Sequence, residues 1–274
     1  MSGVVHDCLV RLPGSPRPGY TPVTRIGEAG RDTGMEFGIL RLEAGERWAS
    51  SPDLETACLL MGGTVRLRCG GAAAEASRSS LFDGEPAVAH HAGGETVEID
   101  ALEAAEFAVV RVENPARFPA RIFVPGGLLE VEQRDRGRWE DAAWRVVRTV
   151  LDMRNRPESM MVLGEVVTLP GRWSSYPPHH HPQPEIYHYR FDREQGYGHA
   201  ELGDEVLKVR SRDTVKILDL ADHSQVAAPG YAMWYLWAIR HLPGEPYVTP
   251  EFTGEHRWLK EPDARAWRPG GDDR

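Results

Sequence analysis

The chain has 274 residues, enough for one large core or two ordinary ones, since domains usually run to about 100–150 residues. With 41% apolar and 27% charged residues it has the balance of a folded globule, which excludes a disordered or membrane-embedded class. A formal net charge of −9 and the lack of a Lys/Arg stripe exclude a nucleic-acid partner, because such affinity comes from cations clustered on phosphates. The opening MSGVVHDCLV has no basic region followed by a long apolar run, and no later stretch reaches the roughly 18 apolar residues of a membrane span. Cys8, Cys58 and Cys69 are odd in number and far apart, so neither a disulfide framework nor a thiolate zinc site is expected. The composition reads as that of a cytoplasmic protein that binds neither nucleic acid nor membrane.

In chain order, Phe37-Gly-Ile-Leu-Arg-Leu42, Thr64-Val-Arg-Leu-Arg68, Thr96-Val-Glu-Ile-Asp100 and Thr214-Val-Lys-Ile-Leu218 alternate apolar and polar residues with strand period. Each is bounded by Gly, Pro, Asp or Ser, and such turn residues recur throughout. The fold class is therefore all-β. The main helical candidate covers 139–151, where Trp139, Ala143, Val146, Val147 and Val150 recur at helical spacing.

The sequence also repeats itself. MEFGILRLEAGERW around Gly38 matches MMVLGEVVTLPGRW around Gly164: in both, a second glycine follows after seven residues (Gly45, Gly171) and then a tryptophan (Trp48, Trp173). The two lines meet again at Glu55-Thr-Ala-Cys-Leu-Leu and Glu185-Ile-Tyr-His-Tyr-Arg. We read a duplicated β domain: an N-terminal extension over 1–24, a first lobe over 25–137, a helical linking segment over 138–157 and a second lobe over 158–274.

The two lobes differ in chemistry. Six of the eleven histidines lie between His179 and His223. His179 and His181 are two apart, so on a strand their imidazoles share a face and can converge on one ion. Glu185 adds an anionic oxygen, and His223, on a returning strand, completes a set that leaves positions open for substrate. His180, between the pair, is expected on the opposite face. His188 and His199 have weaker claims, and three consecutive histidines alone can be a solvated turn. In the first lobe Glu55 falls where Glu185 does, but Ala49-Ser-Ser-Pro-Asp53 holds no histidine. That lobe is expected to be metal-free, with His90 and His91 structural.

The spacing of HxH, Glu and a later His resembles the cupin signature. More closely, Gly171-Arg-Trp-Ser-Ser-Tyr-Pro-Pro-His-His-His181 resembles the GNWSSYPPHKH stretch of the 5-deoxy-glucuronate isomerases of myo-inositol catabolism. Glu185-Ile-Tyr-His-Tyr-Arg190, Gln195-Gly-Tyr197, Ala228-Pro-Gly-Tyr-Ala-Met-Trp-Tyr-Leu236 and Glu255-His-Arg-Trp-Leu259 extend the match. The chain departs from that family at His180 (Lys there), at Arg172 (Asn there), and in the short Pro182-Gln-Pro184 segment. The resemblance implies a bicupin, a duplicated double-stranded β-helix with a short linking helix.

It also implies an aldose–ketose isomerisation of a deoxy sugar acid, 5-deoxy-glucuronate to 2-deoxy-5-keto-gluconate. A divalent ion, zinc or manganese ahead of iron or nickel, would stabilise charge developing on oxygen. Glu185 and Tyr235 are the candidates for moving the proton. Arg172 and Arg190, with Tyr187, are the candidates for binding the substrate and its carboxylate. A homo-oligomer is expected. Two rivals stay open: a metal-dependent oxygenase, because a His/carboxylate set also suits iron and dioxygen, and a non-catalytic sugar-acid-binding bicupin.

Overall fold

The computed structural model describes residues 7–12, 14 and 16–269. It folds the chain into two lobes of antiparallel sheet. The second lobe pairs a seven-stranded sheet with a five-stranded one. The larger sheet runs Leu9–Arg11, Asp213–Ile217, Glu185–Phe191, Met233–Arg240, Met161–Thr168, Arg145–Leu151 and Val131–Arg134 from edge to edge. The smaller runs Glu205–Arg210, Tyr197–Leu202, His223–Ala227, Trp173–His180 and Glu251–Phe252. In the first lobe the long strand Glu55–Cys69 pairs with Ala105–Val112, Ala72–Arg78, Val88–His91 and Val97–Ala101.

The repeat in the sequence lands on equivalent strands. Gly38 and Gly164 lie in Met35–Leu42 and Met161–Thr168, Trp48 and Trp173 open or nearly open the next strands, and Glu55 and Glu185 open the ones after. Both glycines are needed because an aromatic ring lies across the strand. A Cβ on Gly38 would come within 2.6 Å of the Tyr20 ring, and one on Gly164 within 2.8 Å of the Trp237 indole.

Strand period decides where each side chain goes. On Met233–Arg240, Met233 and Tyr235 enter a core between the two sheets of the second lobe, whereas Trp234, Leu236 and Ala238 turn to the other face. There they pack against Phe37, Ile39, Leu59 and Val110 of the first lobe, in a core shared by both lobes. These strands are therefore apolar on both faces and read as unbroken hydrophobic runs. A buried ion triad crosses the same junction: Glu165 accepts from Arg78 at 2.6 Å and from Arg148 at 2.8 Å.

One expected element is replaced. Over 139–151 the chain makes a three-residue 3-10 turn, Trp139–Asp141, and then the strand Arg145–Leu151. The valines that suggested helical spacing are β-branched, and pairing to Met161–Thr168 on one side and Val131–Arg134 on the other wins over the period. Arg145, Val147 and Thr149 face the interior of the second lobe, while Arg148 and Val150 face the first. No helix among the described residues is long and apolar enough to cross a membrane.

Candidate metal centre and its cavity

The strand Trp173–His180 carries His179 opposite His223 in register, and Glu185 opens the strand across the lobe. Three imidazoles are oriented in the same way. His179 donates Nδ1–H to the Pro177 carbonyl at 3.0 Å, His181 to Gln183 at 2.9 Å and His223 to Ala221 at 3.0 Å. A carbonyl can only accept, so each ring carries its proton on Nδ1 and turns an Nε2 lone pair away from the backbone. Such backbone bonds fix tautomer and ring orientation in metal-binding histidines.

Two of those Nε2 atoms meet one carboxylate oxygen: Glu185 Oε2 is 3.1 Å from His181 and 3.3 Å from His223. Ligand atoms about 2.1 Å from a common ion stand roughly 3.0–3.4 Å apart, so the spacing fits a divalent cation. The ligand atoms of His181, Glu185 and His223 all lie within 4.8 Å of one another. Buried Nε2 of His223 has no hydrogen-bond partner among the described residues. Acceptors converging in a buried site need positive charge between them, and the residues present fit a metal ion.

His179 stands beside this trio, its ring 4.4 Å from that of His223. Burial, and next the neighbouring His223, push its pKa down to about 3, so it is a neutral ring able to offer a lone pair. Glu185 is fully buried, which alone would raise its pKa, but the neighbouring His181 and His223 rings hold it at about 2. His180 points the other way and meets Asp222 at 2.7 Å, as the alternation of the strand requires.

A cavity of about 550 Å³ opens onto His179, His181 and Glu185. Tyr187, Tyr235 and Ser175 line it next to the centre. Ser175 links the two phenols, at 3.0 Å from Tyr187 and 3.2 Å from Tyr235, and Ser174 lies 2.5 Å from Tyr235. Burial raises the pKa of both tyrosines, so they keep their protons and serve as donors.

The two arginines expected to hold a substrate carboxylate are elsewhere. Arg190 alternates with Tyr187 and Tyr189 on its strand and so faces the first lobe, where it bonds His188 and pairs with Glu106 at 3.0 Å. Arg172 reaches the Glu140 carbonyl at 3.4 Å and lines no part of the cavity. Arg134, Arg145, Arg154 and Lys260 line it instead. The first two come from strands in or beside the segment expected to be a helix, which hid their direction. His188 lies buried at the lobe junction against Phe37, and His199 is exposed on the far sheet.

Fold and site together define a duplicated cupin whose second lobe carries a His/Glu centre. The chain belongs to the KduI/IolB family, whose model matches residues 11–259. It is similar to the 5-deoxy-glucuronate isomerase of Geobacillus thermodenitrificans, with 30% identity over 181 residues. That match covers 60% of this chain and spans 62% of the relative's length. Among solved structures, an IolB-like protein from Salmonella typhimurium superposes with a TM-score of 0.74 at 23% identity, covering 83% of this chain and 90% of that one. The Bacillus subtilis oxalate decarboxylase, a protein with Mn(II) centres, shares the fold at a TM-score of 0.56 and 13% identity, over 80% of this chain and 71% of that one.

Proposed function

We propose that the chain is a metal-dependent aldose–ketose isomerase that converts 5-deoxy-glucuronate to 2-deoxy-5-keto-gluconate. The observation that carries this reading is the set of oriented Nε2 lone pairs meeting Glu185 at the floor of the cavity. The family and its relatives named 5-deoxy-glucuronate isomerase support the substrate class.

His179, His181, Glu185 and His223 would hold a divalent ion, with manganese or zinc suited to the mixed imidazole and carboxylate set. Bound there, it would act as a Lewis acid for charge developing on the sugar oxygens. The reaction removes a proton from the carbon bearing the hydroxyl, passes through an enediol, and returns a proton to the former aldehyde carbon. In this reading Glu185 takes that proton, and the use of Oε2 in both imidazole contacts supports Oε1 as the accepting atom. Tyr235, protonated and bonded to Ser174, is placed to donate toward the carbonyl oxygen, with Tyr187 beside it.

The test is to load the purified chain with manganese or zinc and assay 5-deoxy-glucuronate under nitrogen. Ketose formation without oxygen uptake is the expected result. Conversion that requires iron and dioxygen would place the chain among the oxygenases, and binding without turnover would remove the catalytic reading.

A further inference from the structure

Four cations line the cavity, and three of them are already engaged. Arg134 is paired with Glu132, Arg145 with Asp135 and Arg154 with Asp152, each at 2.7 Å. Lys260 differs. Among the described residues no carboxylate lies within ion-pair distance of its amine, which sits over the Phe252 ring, 4.7 Å from its centre. The same ring lies 5.8 Å from His179. The lysine is thus one aromatic ring away from the metal centre.

Its position is built by the fold. Lys260 closes the 3-10 segment Gly254–Lys260, which is anchored by buried Leu259 and by a 2.7 Å hydrogen bond from Arg138 to the Leu259 carbonyl. Lys260 stays exposed at the cavity rim, and partial desolvation there lowers the amine's pKa. Asp135 opposes that effect, and Arg138, Arg145 and Arg134 add to it by repulsion. Three guanidinium groups therefore repel the amine and one carboxylate attracts it. An anion entering the cavity would relieve this repulsion and exchange hydration for a charge-assisted hydrogen bond.

We infer that Lys260, flanked by Arg134, is the carboxylate subsite of the cavity, and that the ligand is a sugar acid with its hydroxyl and carbonyl oxygens toward His181 and Glu185. This rests on the proposed function for the identity of the sugar but not for its charge. A neutral sugar would leave Lys260 with nothing to bind, and a ligand with two acid groups would exceed the one cavity cation without an ion pair among the described residues.

The experiment uses the full chain loaded with manganese, D-glucuronate as the acidic probe and D-glucose as its uncharged counterpart, with affinities measured by calorimetry. The wild type should bind glucuronate more tightly than glucose. Lys260→Met should weaken glucuronate at least tenfold and leave glucose unchanged, the size expected for one charged hydrogen bond. Lys260→Arg should stay within about threefold of wild type. Equal glucuronate affinity in wild type and Lys260→Met overturns the inference, as does a wild type with no preference for the acid. Lys260-dependent binding without turnover of 5-deoxy-glucuronate would sink the proposed function and leave the subsite standing. Turnover with an unchanged KM in Lys260→Met would do the reverse.

Discussion

Glu55 and Glu185 open equivalent strands of the two lobes, yet the first is sealed between the lobes and the second faces the cavity. Glu55 accepts from His90 at 2.8 Å, Asn114 at 2.7 Å, Ser159 at 2.5 Å and the Met160 amide at 2.8 Å. All its oxygen capacity is used in joining the first lobe to the start of the second. Glu55→Gln turns one acceptor into a donor facing other donors. It should cost about 1–3 kcal/mol of stability and leave metal content per folded molecule unchanged. A loss of metal with an unaltered melting temperature would show that the carboxylate acts on the centre.

For the metal itself, removal by a chelator should lower Tm, and added manganese or zinc should restore it. At about 100 times Kd the stabilisation is about 2.7 kcal/mol. His181→Ala or His223→Ala should abolish the shift while the circular dichroism of the strands persists, because the shared core does not use these rings. A metal-dependent Tm of wild-type size in both variants would move the site elsewhere.

Several histidines tie stability to pH. His90 is buried and neutral: its Nε2–H bonds Glu55, and its Nδ1 accepts from Arg156 at 3.1 Å. Burial lowers its pKa, and likewise those of His188 and His241. Folded values below the ordinary 6.5 mean that the unfolded chain takes up these protons first as pH falls. Stability should be fully present above pH 6.5 and decline from there toward pH 5, with Glu55, held low despite its burial by its hydrogen bonds, adding loss below about 4.5. A Tm that is level between pH 7 and pH 5 would contradict this account.

Arg190 should behave as a structural residue. Arg190→Met removes the partner of Glu106 and a donor to His188, so thermal stability should drop, by about 1.5–3 kcal/mol for losing charged hydrogen bonds in a part-buried pair. KM for the sugar acid should stay within about twofold, as it should in Arg172→Ala. A tenfold rise in KM in either variant at normal stability would return these arginines to the binding site.

Much of this arrangement was legible in the sequence, and each miss has its own physical cause. Period two puts His179 and His181 on one face of a strand, the fold brings His181 together with Glu185 and His223, and the glycine repeat falls on equivalent strands. The same period, counted five residues on from Glu185, turns Arg190 to the opposite face of its strand; proximity in sequence was weighed instead. Arg145 was hidden for a different reason. Adjacent Val146 and Val147 are both apolar because that strand packs against a core on each side, and the resulting run fits a helix as well as a strand. Lys260 carried no local signal, since only the tertiary path of the last segment brings it to the cavity.

The strand Leu9–Arg11 adds to the edge of the second lobe by pairing with Asp213–Ile217, whereas Gly19–Thr24, a few residues later, pairs within the first lobe. On the ribosome, Leu9–Arg11 must therefore wait for a strand made roughly 200 residues later. At about 5–20 residues per second, the partner strand emerges roughly 10–40 s after the waiting one. During that interval the first lobe can close its own strands, but its outward apolar face, destined for the shared core, has nothing to cover it. Nascent chains of this protein should depend on chaperone shielding until Met233–Arg240 has emerged.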